Sequence, residues 1–269
     1  MPPSVAGLRR NGTTLDETVV PRTDVSAWRS YPLEHGFFGR RGGVGVGAFA
    51  SLNLSFDVGD DPLTVSRNWQ RVRQRIGPRF RLVKMRQVHG SQVAVVEGGE
   101  AFVGEADAMV TNQPGLALVV LTADCVPMLL VAPDHGVVGA VHAGWKGTLA
   151  GVASAAVRTI HDRYNVPLHA IEVSLGPSIG VCCYEVGADV GRVFRSLGNV
   201  SAAMEGGSGS RIRVDLRLVN AMLLERAGVP VEKIRMVGPC TRCAAADFFS
   251  HRGAAGPTGR QASLIAIRP

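Results

Sequence analysis

The chain has 269 residues, 46% of them hydrophobic, enough to bury the core of one large domain. Its 29 basic and 22 acidic side chains leave a formal charge of +7, which suits a small anionic partner such as phosphate. The positive residues are dispersed, however, and the densest run, Arg67 to Arg86, has neither aromatic interleaving nor a nucleic-acid motif, so it reads as a solvated basic face and no nucleic-acid partner is expected. Nowhere do about 18 apolar residues run uninterrupted, and no apolar segment of signal-peptide length follows the first basic residues. A cytoplasmic protein without a membrane partner is expected, as a monomer or weak oligomer. The five cysteines, Cys125, Cys182, Cys183, Cys240 and Cys243, are an odd number in such a chain and are expected as thiols or metal ligands, not as a disulfide framework.

The first 25 residues are polar, with scattered Gly, Thr and Pro, the composition of a flexible N-terminal arm, and residues 26–269 are expected to form the folded unit. A glycine-dense stretch, Gly36 to Gly47, leads into Ser51-Leu52-Asn53-Leu54 and implies tight turns or close approach to a ligand. Asp60-Asp61 before Pro62 signals a helix start, and the spacing predicts a helix over Pro62 to Ile76. From Leu82 the pattern turns to short β-rich runs: Val93 to Val96, Ala108 to Thr111, Leu116 to Thr122, Met128 to Ala132 and Val137 to His142. One helix is expected over Gly147 to Tyr164, a strand over Ile171 to Leu175, and helices over Asp189 to Leu197 and Asp215 to Ala227. Glu205 to Ser210 has the composition of a flexible loop, and Leu264 to Ile267 closes the chain as a strand. No repeat or linker divides this order, so a single α/β (α+β) domain with mixed β-sheets is predicted.

Three metal-competent side chains stand beside glycine or at a predicted strand end: His89 in Gln87-Val88-His89-Gly90, Cys125 in Thr122-Ala123-Asp124-Cys125, and His142 in Val141-His142-Ala143-Gly144-Trp145. Two imidazoles and a thiolate are a sound set for catalytic zinc, which commonly takes three protein ligands and keeps a fourth position open. Their separation along the chain leaves convergence undecided, and hydrogen-bonded histidines with a core cysteine are the plainer alternative. The same residues also suit a cysteine hydrolase or amidase, with Cys125 as nucleophile and His89 or His142 as its base. Metal content separates the two, because a thiolate bound to zinc is a poor free nucleophile. Cys240 and Cys243 spell C-x-x-C, but with only the adjacent Cys182-Cys183 to complete it, a second site of four thiolates is an awkward arrangement.

The words around these residues resemble the YfiH, or laccase-domain, family, in order and along most of the chain. They are Gly42-Gly43 followed by Ser51-Leu52-Asn53-Leu54, Gln87-Val88-His89-Gly90, Ala106-Asp107-Ala108, Thr122-Ala123-Asp124-Cys125, His142-Ala143-Gly144-Trp145 with Gly147, Gly176-Pro177 to Tyr184-Glu185-Val186-Gly187, Asp215-Leu216, Cys240-Thr241, and Phe249-Ser250-His251-Arg252 with Gly259-Arg260. The resemblance implies a mixed β-sandwich flanked by helices, with zinc held by His89, Cys125 and His142. It implies phosphorolysis of purine nucleosides (adenosine, inosine, guanosine, methylthioadenosine), sometimes with adenosine deamination in the same pocket, so that purine nucleoside and phosphate are the partners. For these substrates the expected binding residues are Arg41, Asn53, Glu185, Arg252 and Arg260, the arginines because their forks match phosphate oxygens. Trp145 is a packing residue that also offers a face to a purine.

Asp107, Asp124 and Glu185 are the carboxylates available for proton transfer in a deamination. Asp124, next to Cys125, is expected to point away from the metal, and Asp107 to orient a ligand imidazole. The family also carries the laccase label and a link to peptidoglycan quality control, which keeps editing of a wall precursor through Cys125 as an alternative. A multicopper centre needs clustered histidines, and the seven here, His35, His89, His135, His142, His161, His169 and His251, include no His-x-His pair, so zinc is expected and not copper. The chain departs from the family where Gly45 replaces a frequent Ser and His251 a frequent Tyr. Both changes bear on substrate contacts and leave the three ligands intact.

Overall fold

Strand after strand in the centre of this chain is apolar on both faces, a pattern that requires a sheet covered on each side. The protein is described by a computed structural model over residues 20–269. In chain order the strands are β1 (Arg22–Thr23), β2 (Leu33–Phe38), β3 (Arg81–Arg86), β4 (Val93–Val95), β5 (Phe102–Glu105), β6 (Ala108–Thr111), β7 (Leu116–Thr122), β8 (Val126–Ala132), β9 (Val137–Ala143), β10 (Glu172–Leu175), β11 (Glu185–Val186), β12 (Met204–Gly206), β13 (Ile212–Val214), β14 (Ile234–Met236) and β15 (Gln261–Ile267). The α-helices are α1 (Pro62–Ile76), α2 (Trp145–Leu149), α3 (Val152–Tyr164), α4 (Ala188–Arg195) and α5 (Leu216–Arg226).

One six-stranded sheet runs β1-β2-β15-β7-β3-β5, a second runs β14-β10-β8-β9-β6-β4, and a three-stranded sheet is β11-β13-β12. Both large sheets mix parallel and antiparallel pairs. Alternate side chains sort the layers. Leu118 and Val120 of β7 and Ile265 of β15 meet Leu129 and Val131 of β8 and Val138 and Ala140 of β9 in a core between the two sheets. Their neighbours Ala117, Val119, Leu264 and Ala266 turn the other way, onto Val65, Trp69, Val72 and Ile76 of α1. Met128, Leu130, Val137 and Val141 face Ala153, Ala156, Val157 and Ile160 of α3 and Val219 and Leu224 of α5. The result is the mixed sandwich flanked by helices that the resemblance implies. Each fully buried Leu, Val or Ile contributes roughly 1.5–3 kcal/mol.

Local chemistry accounts for the element ends. Asp61 caps α1, its carboxylate accepting from the Leu63 and Thr64 N–H groups, and Pro62 stands in the first turn. The single helix expected over Gly147 to Tyr164 is two, starting earlier at Trp145 and broken where Gly151 takes φ 77. The expected loop over Glu205 to Ser210 begins in a strand, because Met204–Gly206 pairs with β13. Most of the expected N-terminal arm lies outside the described residues, but its last part is packed: Val20 and Val25 are buried and Arg22–Thr23 pairs with β2. A two-residue edge strand is too short to leave an alternation in the sequence. Among the described residues no helix is long and apolar enough to cross a membrane.

Candidate metal-centred active site

Cys125 stands in the turn between β7 and β8, after Thr122 ends one strand and before Val126 begins the next. Asp124 takes φ 90 in this turn, a backbone that a non-glycine residue keeps only when its surroundings hold it. Its carboxylate accepts hydrogen bonds from Thr241 Oγ1 and from the Arg252 N–H, each at 2.6 Å, and its carbonyl accepts from the Ile179 N–H at 3.0 Å. Asp124 is thus committed to fixing the turn that presents Cys125, the structural part its position suggests.

His142 lies one residue before the end of β9, opposite Pro127 of β8. Asp107, fully buried between β5 and β6, bonds His142 Nδ1 through Oδ1 at 2.8 Å. The same carboxylate accepts the backbone N–H groups of Val88, His89 and Gly90 at 3.2, 3.0 and 2.6 Å. One buried acid therefore sets the orientation of His142, leaving its Nε2 to face Cys125, and closes the turn in which His89 adopts φ 61. Such a carboxylate behind a histidine ligand fixes its tautomer and raises its basicity.

The three side chains converge. His89 Nε2 is 3.9 Å from Cys125 Sγ, the two imidazoles meet edge to face with centroids 4.7 Å apart, and the three ligand atoms all lie within 4.8 Å of one another. Gly144 makes room for them: a Cβ there would stand 2.7 Å from His89 Cδ2 and 3.1 Å from Cys125 Sγ. Burial opposes ionisation of the Cys125 thiol, but the hydrogen bonds of His142 and His89 prevail and bring it down to about 6. Burial also opposes protonation of His142, and there the bonds to Asp107 and Cys125 prevail and raise it to about 9. Asp107 is held below its ordinary value, with burial working against its charge and the His142 bond and backbone N–H groups working for it. A thiolate and two imidazole nitrogens backed by a buried carboxylate fit a tetrahedral divalent cation, which takes the place of the proton on the imidazolium.

Two cavities open on this group and share His89, Ala123, Cys125 and His251 as a common wall. The first, of ≈ 380 Å³, sets Arg86 and Arg260 with Gln87 and Thr122 beside Asp57, Met85 and Leu121. The second, of ≈ 330 Å³, is flatter chemistry: Trp145, Tyr184, Ile179, Leu216 and Arg252.

Arg260 lines the first cavity and Arg252 the second. Arg41 lines neither. It pairs with Asp247 at 2.5 Å and donates to the Ala246 carbonyl, in a separate cavity beside Phe37 and Phe248. Asn53 is fully buried, and its amide is engaged by Ser55, Asp60 and the Arg260 N–H, so it positions Arg260 and lines neither cavity. Glu185 faces a neighbouring cavity with Trp145, Tyr184 and Arg252, where Arg213 lies 3.4 Å from its carboxylate. Gly45 lines neither central cavity, and a Cβ there would meet the Phe49 carbonyl at 2.7 Å and the Ser51 carbonyl at 2.9 Å, so its small size serves the turn.

Two further residues line these walls. Thr122 lines the first cavity with a buried Oγ1 that has no hydrogen-bond partner, and it opens the very word that ends in Cys125. Tyr184 walls the second cavity, next to Glu185 in the chain.

Residues 34–268 match the family model described as multi-copper polyphenol oxidoreductase laccase. A purine nucleoside phosphorylase of Deinococcus radiodurans is 39% identical over 238 residues, covering 87% of this chain and 89% of that one. A protein named adenosine deaminase RL5, from an unknown prokaryotic organism, is 34% identical over 230 residues, covering 80% and 87%. The crystal structure of YlmD from Geobacillus stearothermophilus superposes with a TM-score of 0.84 at 36% identity, over 88% of this chain and 93% of that one. Matched along nearly all of its described length in sequence and in fold, the chain belongs to the laccase-domain, or YfiH, family.

Proposed function

We propose that the protein is a cytoplasmic, zinc-dependent purine nucleoside phosphorylase whose substrates meet at the wall shared by the two cavities. The observation that carries this reading is the pairing of a cavity that holds Arg86 and Arg260 with one walled by Trp145 and Tyr184 across His89 and Cys125. His89, Cys125 and His142 would hold the zinc, which supplies a Lewis acid and a template at its open coordination position.

The chain's own residues divide the remaining work. Arg260 is anchored by its donation to the Thr258 and Gly259 carbonyls. Burial pulls its pKa down while Cys125 and Asp124 push it back, and a guanidinium stays charged throughout. With Arg86, which pairs with Glu105 at the rim, it makes the first cavity the place for phosphate. In the second cavity Trp145 and Tyr184 give the purine its stacking surface. Burial pushes the Tyr184 phenol up to about 12, against the pull of Arg252, so it remains a hydrogen-bond donor. Arg252 stays over that ring at 5.0 Å and donates to the Glu185 carbonyl.

A nucleoside spanning the shared wall puts its anomeric carbon between phosphate and base. A phosphate oxygen forms the new bond to that carbon, the glycosidic C–N bond breaks, and its electron pair leaves with the purine. Positive charge building on the ribose is met by the phosphate already held in place, so orientation supplies much of the rate. His251, on the wall common to both cavities, is the side chain placed to pass a proton to the departing base.

Adenosine deamination is a second reading, favoured by the name of the RL5 relative and by Asp57, the carboxylate in the lining of the first cavity; Asp107 and Asp124 are occupied elsewhere. A cysteine hydrolase or a wall-precursor editing activity would draw on the same Cys125 and His142 pair. The test is phosphate-dependent release of free base from adenosine, inosine, guanosine and methylthioadenosine, followed by chromatography beside metal analysis. Base release that needs both phosphate and a zinc lost on His89→Ala supports the proposal. Turnover without zinc, or none with any of the four nucleosides, overturns it.

A further inference from the structure

A second group of sulfurs gathers elsewhere. Cys182 and Cys183 follow β10 in one turn, Cys240 and Cys243 lie in another between β14 and β15, and their four sulfur atoms are all within 4.8 Å of one another. Cys243 Sγ is 3.6 Å from Cys182 Sγ and 3.4 Å from Cys183 Sγ. Four thiolates at about 2.3 Å from a tetrahedral zinc stand about 3.8 Å apart, so the four sulfurs already have nearly the spacing of a ligand shell.

The backbone is built around them. The Cys183 N–H bonds the Gly180 carbonyl and the Ala244 N–H bonds the Cys240 carbonyl, so each pair sits on its own tight turn. An isolated parallel bridge between Ser178 and Cys240 joins the two turns. Gly180 keeps the interior open, since a Cβ there would stand 3.2 Å from Cys240 Cβ and 3.3 Å from Cys182 Sγ. All four are free thiols, and Cys182 and Cys243 are exposed, which leaves a cation a way in.

We propose that Cys182, Cys183, Cys240 and Cys243 bind a zinc ion as four thiolates, a structural metal site distinct from the one at His89, Cys125 and His142. Zinc binds by displacing the thiol protons into solvent, and four sulfur ligands leave no open position for catalysis. The site ties together the two segments that secure the catalytic turn: Thr241, between the paired cysteines, bonds the Asp124 carboxylate, and Ile179, just before Gly180, bonds the Asp124 carbonyl. Its role is to hold that wall and Tyr184 beside Cys125.

The test uses the full chain purified from zinc-supplemented culture under a reducing agent, with elemental analysis and X-ray absorption at the zinc edge. The expected result is two zinc ions per chain, one in the Cys182→Ser/Cys243→Ser variant, and one in the His89→Ala/Cys125→Ala variant with a shell of sulfur alone. A single zinc in the unaltered chain that persists in Cys182→Ser/Cys243→Ser overturns the proposal, as does a His89→Ala/Cys125→Ala protein without zinc. Should the cysteine variant fail to fold, cobalt loading of His89→Ala/Cys125→Ala decides: intense sulfur-to-cobalt charge transfer of a four-thiolate tetrahedron supports the site, and its absence refutes it.

Discussion

The two metal-competent clusters are built on opposite plans. At His89, Cys125 and His142 three ligand atoms come from three separate parts of the chain and open on two cavities, and a buried Asp107 positions two of the three. At Cys182, Cys183, Cys240 and Cys243 four identical donors come from two turns and line neither of those cavities. Three donors plus a cavity leave a coordination position for chemistry; four donors close the shell. The difference predicts that damage to the first cluster is read in rate and damage to the second in stability.

The largest effect is expected from Cys125→Ala or His142→Ala. Either should remove the metal of that site and lower kcat/KM by at least about a thousandfold, on the order of 4 kcal/mol of transition-state stabilisation, while circular dichroism and the unfolding midpoint stay close to those of the unaltered chain. Steady-state kinetics with metal analysis checks this. Retention of full activity in either variant would break the comparison at once.

Asp107→Asn comes next. The amide cannot accept from three backbone N–H groups and an imidazole as the carboxylate does, and it leaves His142 without its charged partner. A loss of about 10–100-fold in metal affinity or activity is expected, together with a shifted pH profile. Competition with a chelator measures the affinity directly.

The second cluster should behave otherwise. Cys182→Ser/Cys243→Ser removes a cross-link between two turns, comparable in kind to a disulfide worth about 2–4 kcal/mol, and at this chain length each kcal/mol moves the midpoint by roughly 2–4 °C. Thermal unfolding should therefore shift by several degrees, with kcat changed only a few-fold. A thousandfold loss of kcat in a folded variant would mean that the sulfur cluster takes part in the chemistry.

Much of this was legible in the residue order, and the failures have local causes. Asp61-Pro62 announces α1, and Ala108–Thr111 and Leu116–Thr122 form the strands their composition calls for. His89, Cys125 and His142 stood out because each is a metal-competent residue beside a turn. β2 did not stand out, since Leu-Glu-His-Gly-Phe-Phe carries polar residues inside a buried strand. Glu34 is satisfied by Arg22 and His35 by the Val25 N–H, partners that only the fold supplies. Arg41 follows the glycine-rich stretch in sequence, yet its side chain turns to Asp247, and no spacing rule reports which way an arginine turns. The adjacency of Cys182 and Cys183 speaks against a shared ligand shell in the sequence, whereas the turn closed by the Cys183 N–H and Gly180 carbonyl brings both toward the other pair.

The two arginines sharpen the contrast between the site and its surroundings. Arg260→Met should raise KM for phosphate by about 10–100-fold, the worth of roughly 1.5–3 kcal/mol for a charged hydrogen-bonding group, whereas Arg41→Met should leave it unchanged. Initial rates against phosphate concentration check both. Equal effects from the two would move the phosphate position away from the first cavity.

The smallest expected effects compare the glycine behind each cluster. Gly144 has φ −75, which any residue adopts, so Gly144→Ala acts through space alone. Its methyl would meet the His89 ring at 2.7 Å and the Cys125 sulfur at 3.1 Å. His89 cannot retreat freely, because Asp107 holds its backbone, so the ligands must separate, and a metal affinity lower by about tenfold is expected, near 1.4 kcal/mol. At Gly180 the nearest atoms are a cysteine Cβ at 3.2 Å and a sulfur at 3.3 Å, which a shift of a few tenths of an ångström relieves. Gly180→Ala should therefore lower the unfolding midpoint by only about 2 °C, under 1 kcal/mol at this size, with zinc content intact. Calorimetry and chelator competition on the two variants should give opposite rankings, Gly144→Ala weaker in metal binding and Gly180→Ala weaker in stability.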